Sequence, residues 1–179
     1  MKTLTKYLNE RLVVFPSQVD EKLVINKDYN DPHTCTPASW EELRNIIKDR
    51  YNKLGPGTKD TSIDFNDVDV SNIDSFYNKN TNNGIFDETA FEYIDISDWD
   101  VSNVKNMMGT FFGCKNLKSV GDLSNWNVSK VKNMSYMFYA CMQLKSVGDL
   151  SNWNVSKVKN TFGMFMNSGI TNKPDWLKK

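Results

Sequence analysis

The sequence predicts an α/β solenoid of about four coils, closed at its N-terminal end by an α-helical cap. Three observations carry that prediction. Trp99, Trp126 and Trp153 stand at equal intervals of 27 residues. The run from Asp122 to Asn133 recurs without change from Asp149 to Asn160. A helix with clear start and stop signals precedes the repeats. A unit of this length buries its apolar side only by stacking on the next, and the product is an extended surface suited to binding macromolecules.

Leu4, Tyr7, Leu8 and Leu12 fall at helical spacing, so residues 3–12 read as a short amphipathic helix that ends at Phe15-Pro16. Leu23-Val24-Ile25 reads as a short strand. Ser39 and Glu42 form a capping box before an apolar stripe of Trp40, Leu43, Ile46, Ile47 and Leu54, and Gly55-Pro56-Gly57 stops the helix. Residues 1–62 are thus the expected cap region. Residues 63–170 are the expected solenoid, with coils at 63–93, 94–119, 120–146 and 147–170. The first coil is degenerate: Val68 to Ile73 parallels Trp99 to Val104 at an offset of 31 residues. Residues 171–179, with Trp176, form the C-terminal cap, and the whole is one domain.

Inside a coil, Tyr93-Ile94-Asp95-Ile96-Ser97 alternates polar and apolar, the mark of a strand with its isoleucines inward. The later copies insert Gly121 and Gly148, which suggests a bulge that restores register. Val128, Val131, Met134, Met137 and Phe138 follow at spacings of three or four, which predicts a short helix or helical turn.

Composition bounds the function. Apolar residues are 39% and charged residues 25%, ordinary for a soluble globular chain. No run of 18 apolar residues offers a membrane span. The first eight residues do not read as a signal peptide, and the three cysteines form no CxxC pair, so the cytoplasm is expected unless a leader has been removed. Cys114 and Cys141 lie one period apart, as stacked core thiols or as a disulfide between neighbouring coils. Net charge is zero, yet residues 1–98 carry 11 Lys and Arg against 18 Asp and Glu, while residues 99–179 carry 11 against 4. Head-to-tail contact between copies is electrostatically allowed. Caps at both ends oppose it, so a monomer or weak dimer is expected.

Leu123-Ser124-Asn125-Trp126-Asn127-Val128-Ser129, then Val131, Asn133-Met134 and Met137-Phe138, resemble the BspA-like leucine-rich repeat. The resemblance covers about residues 63–170. It implies a leucine-rich-repeat solenoid with one short strand per coil, in a family found in bacterial surface proteins and in phage or mobile-element proteins. The family's characterised roles are protein binding and adhesion. No catalytic residue belongs to the repeat, so none is carried over. Thr161 departs from the pattern where Met134 stood one repeat earlier.

Candidate sites follow from the rows that a period creates. Asp64, Asp95, Asp122 and Asp149 align as an outward strip, joined by Tyr93. Each Asp could accept backbone hydrogen bonds in its own turn; alternatively the strip attracts a basic partner. Lys105, Lys132 and Lys159, reinforced by Lys130 and Lys157, form a second row. It is either a solvated face or a contact for an acidic protein or phosphates. The tryptophans could pack in the core or stack sugars and bases. The methionines Met134, Met137, Met142, Met164 and Met166 read as core, and Asn106, Asn133 and Asn160 as turn residues.

Catalysis finds little footing. His33 and Cys35 are close in sequence, with nothing to supply a third orienting group. No cluster has metal-ligand spacing, no phosphate loop is present, and no cofactor is implied. The expectation is a non-enzymatic protein-binding module, one that docks on and inhibits a host or phage protein. A secreted or surface adhesin is the alternative. Nucleic-acid binding through the lysine row is a further one, disfavoured by the lack of arginine and of interleaved exposed aromatics there.

Overall fold

A computed structural model describes residues 35–87 and 89–178. The helix expected over residues 3–12, the strand at residues 23–25 and His33 lie outside these residues. The described elements are α1 (Trp40–Leu54), β1 (Ile63–Asp64), β2 (Tyr77–Asn78), β3 (Asn83–Gly84), β4 (Ile94–Asp95) and a terminal 3-10 turn (Asp175–Lys178).

The α1 helix forms where its signals placed it. Ser39 accepts a hydrogen bond from the Glu42 amide at 3.2 Å. The Glu42 carboxylate reaches back one residue further than a capping box requires, to the Ala38 amide at 2.7 Å. Gly55, at φ 75°, ends the helix by donating to the Tyr51 carbonyl. Leu43 and Ile47 are buried, whereas Leu54 projects into solvent. Polar contacts fix the helix against the chain that follows. Trp40 Nε1 donates to the Phe76 carbonyl at 3.3 Å. Arg50 grips both carboxylate oxygens of Asp67 and lies 4.8 Å from the Phe65 ring centre. Arg44 donates to the carbonyls of Ile85 and Asp87.

The expected α/β leucine-rich-repeat solenoid of about four coils with an α-helical N-terminal cap is not what the described residues form. They hold one α-helix and two sheets of two strands, each strand two residues long. β1 pairs with β4 in parallel, Ile63 beside Ile94 and Asp64 beside Asp95. β2 and β3 are antiparallel. No strand recurs in each repeat, and where a short helix or helical turn is expected, Val128 to Phe138 forms turns and no helix.

Side chains that compete for the backbone explain the difference. Short polar residues accept the amide two positions on and turn the chain there. Asp95, Asp100 and Asn106 do so to Ser97, Ser102 and Met108. Asp122, Asn127 and Asn133 do so in the next repeat, and Asp149, Asn154 and Asn160 in the one after. Each repeat therefore bends at three side-chain-capped corners, too closely spaced for a long strand. Beyond the third corner, Tyr136 and Ala140 have φ of 57° and 58°, which no α-helix accommodates.

The freed backbone groups pair across repeats instead. Lys132 N donates to Lys105 O, and Lys159 N to Lys132 O, both at 2.8 Å. Met107 N reaches Asn133 O, and Met134 N reaches Asn160 O, again at 2.8 Å. Isolated parallel bridges at Asn106, Asn133 and Asn160 mark the same register. Next to Gly121 the pairing departs from a regular ladder, with two residues of the earlier repeat against one step of the later one. The amides of Ile94 and Ile96, two residues apart, go to the successive carbonyls of Ser119 and Val120.

One core runs from Leu43 to Ile170. Phe86, Phe111, Phe138 and Phe165 stack in sequence with ring centres 5.2, 5.3 and 5.5 Å apart. Trp126 and Trp153 stack at 6.4 Å, and Trp176 continues that column at 6.4 Å. Each buried indole N–H donates to a carbonyl of the preceding repeat: Trp99 to Phe65, Trp126 to Ile96, Trp153 to Leu123.

Candidate functional site

The aspartate row is built into the corners. Asp64 Oδ1 accepts from Asn66 N, Asp95 Oδ1 from the amide and hydroxyl of Ser97, Asp122 Oδ1 from Ser124 N and Asp149 Oδ1 from Ser151 N. Asp122 and Asp149 are exposed. The amide of Ser124, then its hydroxyl, holds the Asp122 carboxyl below its ordinary range. The Ser151 hydroxyl and amide do the same for Asp149. Tyr93, half-buried, has the Lys118 ammonium 5.5 Å from its ring centre, and Lys118 is also paired with Glu92 at 2.5 Å.

The lysine row has mixed company. Lys105 pairs with Asp74 at 3.1 Å, and Lys130 donates to Asn103 Oδ1 at 2.7 Å. Lys132 and Lys159 are exposed and form no ion pair with the described residues.

Trp99, Trp126 and Trp153 are each only 4% exposed, which removes them as a platform for sugars or bases. Cys114 and Cys141 are free buried thiols that donate to the carbonyls of Phe86 and Phe111, both at 3.0 Å. Burial pushes the Cys114 thiol up to about 12 and also raises Cys141, so neither is a thiolate at neutral pH. The half-buried Cys35 is raised too, chiefly by burial. Among the described residues, no group of three His, Cys, Asp or Glu could hold a metal ion.

A different surface stands out. Phe112 and Tyr139, one period apart, stack at 4.9 Å and 10°. Tyr136 meets Phe112, Tyr139 and Phe162 edge-on, at 6.3, 5.7 and 5.5 Å. The first three are half-buried, while Phe162 is 62% exposed. Met142 and Met166, expected in the core with Met134, Met137 and Met164, are instead about half exposed, at 50% and 47%. Tyr136 is also strained. Its equivalents one repeat either side are Gly109 and Gly163, with φ of 59° and 66°, and it alone carries a side chain at that left-handed position. The 27-residue spacing of Phe112, Tyr139 and Met166 was the available signal. It is masked by their differing identities, and the helical reading of Val128 to Phe138 drew attention to the inward residues.

A family described as "Mycoplasma protein of unknown function, DUF285" matches residues 79–175. The chain belongs to that family. No curated protein and no solved structure matches it. The segment that makes it a DUF285 member contains Trp99, Trp126 and Trp153, the lysine row and the whole aromatic cluster, while α1 and Asp64 precede that segment. The DUF285 chain has, among its described residues, no helix long and apolar enough to cross a membrane.

Proposed function

We propose that this chain is a non-enzymatic protein-binding module that offers a preformed surface to a protein partner. One observation carries the reading: Phe112, Tyr136, Tyr139 and Phe162 cluster at the surface with Met142 and Met166 beside them in sequence. Aromatic residues and methionine are the types enriched where proteins meet, and tyrosine anchors lose little conformational entropy on binding. Backbone bonds between repeats hold this surface in place, so binding would cost little ordering. The proposed role is to dock on, and so inhibit, a host or phage protein, in the cytoplasm. The buried free thiols support a reducing compartment.

The finer kinship, with BspA-like proteins, rests on the Leu123 to Ser129 run and its copy at 150–156. It favours a second reading as a surface adhesin.

The test is a paired capture from source cells with wild-type chain and Tyr139→Ser plus Phe162→Ser as baits. A protein partner retained by wild type and lost by the double variant is the expected result. Partners held equally by both baits would remove the aromatic cluster as the binding surface.

A further inference from the structure

We infer that the aromatic cluster takes an acidic protein segment, one that sets Asp or Glu beside an apolar anchor. This rests on the protein-binding reading above and specifies the chemistry of the partner.

Charge is the first support. Between Val101 and Gly148 the chain carries six lysines and a single acid, Asp122. That acid already accepts from the Ser124 amide. Lys132 precedes Tyr136 by four residues, Lys159 precedes Phe162 by three, and Lys115 follows Phe112 by three. All three lysines are exposed and form no ion pair with the described residues. Lys132 and Lys159 are also neighbours, because Lys159 N donates to Lys132 O at 2.8 Å. Hydrogen-bonded neighbours stand roughly 4.8 Å apart at the backbone, so the two side chains set like charges at adjacent positions, a mildly unfavourable pairing that a carboxylate would relieve.

Ring geometry is the second support. Phe112 and Tyr139 cover one face of each other, and Tyr136 packs edge-on to its neighbours. A site that stacks bases needs free ring faces in succession. Here Phe112 and Tyr139 cover one another's faces, which leaves fewer faces for successive bases, whereas aromatic edges and phenolic hydroxyls are the groups that complement carboxylates. An acidic protein segment therefore fits better than a single-stranded nucleic acid.

Strain is the third. Tyr136 keeps φ 57° where both neighbouring repeats use glycine. Positions held in such conformations cluster at functional sites, and this one lies at the centre of the rings.

The experiment is selection of a displayed random-peptide library on the full chain at low salt, with Tyr139→Ser plus Phe162→Ser as counter-target. The dissociation constants of enriched peptides are then measured against variants. We expect enriched peptides to be net negative with an aromatic or aliphatic residue among the acids. Their binding should weaken about tenfold or more in Lys132→Glu plus Lys159→Glu, and in Tyr136→Gly, the range for losing an interface anchor or paired charge. It should also weaken as salt rises, and stay unchanged in Lys48→Glu on the distant α1. Neutral or basic peptides that still depend on Tyr139 and Phe162 would overturn the acidic partner and leave the protein-binding reading standing. Acidic peptides that bind the counter-target equally well would overturn the aromatic cluster as the site, and with it this inference. Enrichment of nothing over the counter-target overturns the inference. So does ring-dependent binding of a single-stranded oligonucleotide or a phosphatidylserine vesicle in place of any peptide.

Discussion

Asp122 Oδ1 occupies the space that a side chain at Gly148 would need. The same atom accepts the Ser124 amide at 2.9 Å, so one oxygen closes its own corner and rests against the glycine of the next repeat. Asp95 and Gly121 repeat the relationship one unit earlier. The inserted glycines thus serve two needs: a left-handed turn, at φ 82° and 86°, and room for a carboxylate.

Gly148→Ala should therefore destabilise the chain by more than backbone strain alone, which is about 1–2 kcal/mol for a left-handed alanine. The excess comes from collision with Asp122. Asp122→Ala removes the colliding oxygen, so the double variant should lose less than the sum of the two single losses. Denaturant curves for the four proteins measure this coupling. Strict additivity would mean that the carboxylate moves aside freely.

Trp126→Ala should cost about 3–5 kcal/mol, the range for a fully buried aromatic. The indole is 4% exposed, stacks on Trp153 at 6.4 Å and donates to the Ile96 carbonyl at 3.2 Å. Its removal leaves both a void and an unsatisfied carbonyl. Equilibrium unfolding followed by far-UV circular dichroism reads the loss, and a change within error would contradict the packing described.

The buried side of the molecule was legible because it repeats with its chemistry intact. Trp99, Trp126 and Trp153 keep identity and spacing, and Asn106, Asn133 and Asn160 signalled their turns. The elements between them were not legible. Val128, Val131, Met134 and Met137 recur at three or four residues, a spacing shared by a helix and by successive tight turns that each send one side chain inward. What decides between them is that Asn133 binds the Ser135 amide while Met134 N goes to Asn160, a choice set by the neighbouring repeat. Ile94 and Ile96 alternate as a strand should, yet only Ile94–Asp95 pairs as one, since the Ser97 amide is taken by the Asp95 side chain. The aromatic cluster was hidden for another reason. Phe112, Tyr139 and Met166 share a position but not a residue type, and Tyr136 stands where glycine is the rule.

The aspartate corners predict a modest acid sensitivity. The folded-state carboxyls of Asp122 and Asp149 titrate below their ordinary value. A depressed carboxyl contributes stability above its unfolded pKa, and that contribution is lost as pH falls through the folded value. The window is therefore acidic, from the usual carboxylate range downward. Both groups are exposed, so screening keeps the effect small. Asp122→Asn plus Asp149→Asn preserves the turn acceptors and removes the charge. The variant should be slightly less stable than wild type near neutrality, converge on it as pH falls, and so show a shallower loss of stability on acidification. A parallel pH profile would mean that other carboxylates govern acid unfolding.

Tyr136 offers a test in which the usual ranking of substitutions reverses. Alanine normally exceeds glycine in stability, because glycine loses more backbone freedom on folding. At φ 57° the order should invert. Tyr136→Ala removes the ring contacts with Phe112, Tyr139 and Phe162 and keeps a Cβ in the left-handed region. Tyr136→Gly removes the same contacts and relieves the strain, restoring the residue that Gly109 and Gly163 already supply on either side. The glycine variant should therefore be more stable than the alanine variant by about 1 kcal/mol, the low end of the left-handed penalty. Relative to wild type it should be less stable, because three ring pairs at about 0.5–1.5 kcal/mol each are lost and strain relief of about 1–3 kcal/mol offsets them only in part. Chemical denaturation of the three proteins side by side decides the matter. If alanine proves the more stable, the left-handed turn at Tyr136 is not where the chain rests, and the rings around it are arranged differently from the cluster described.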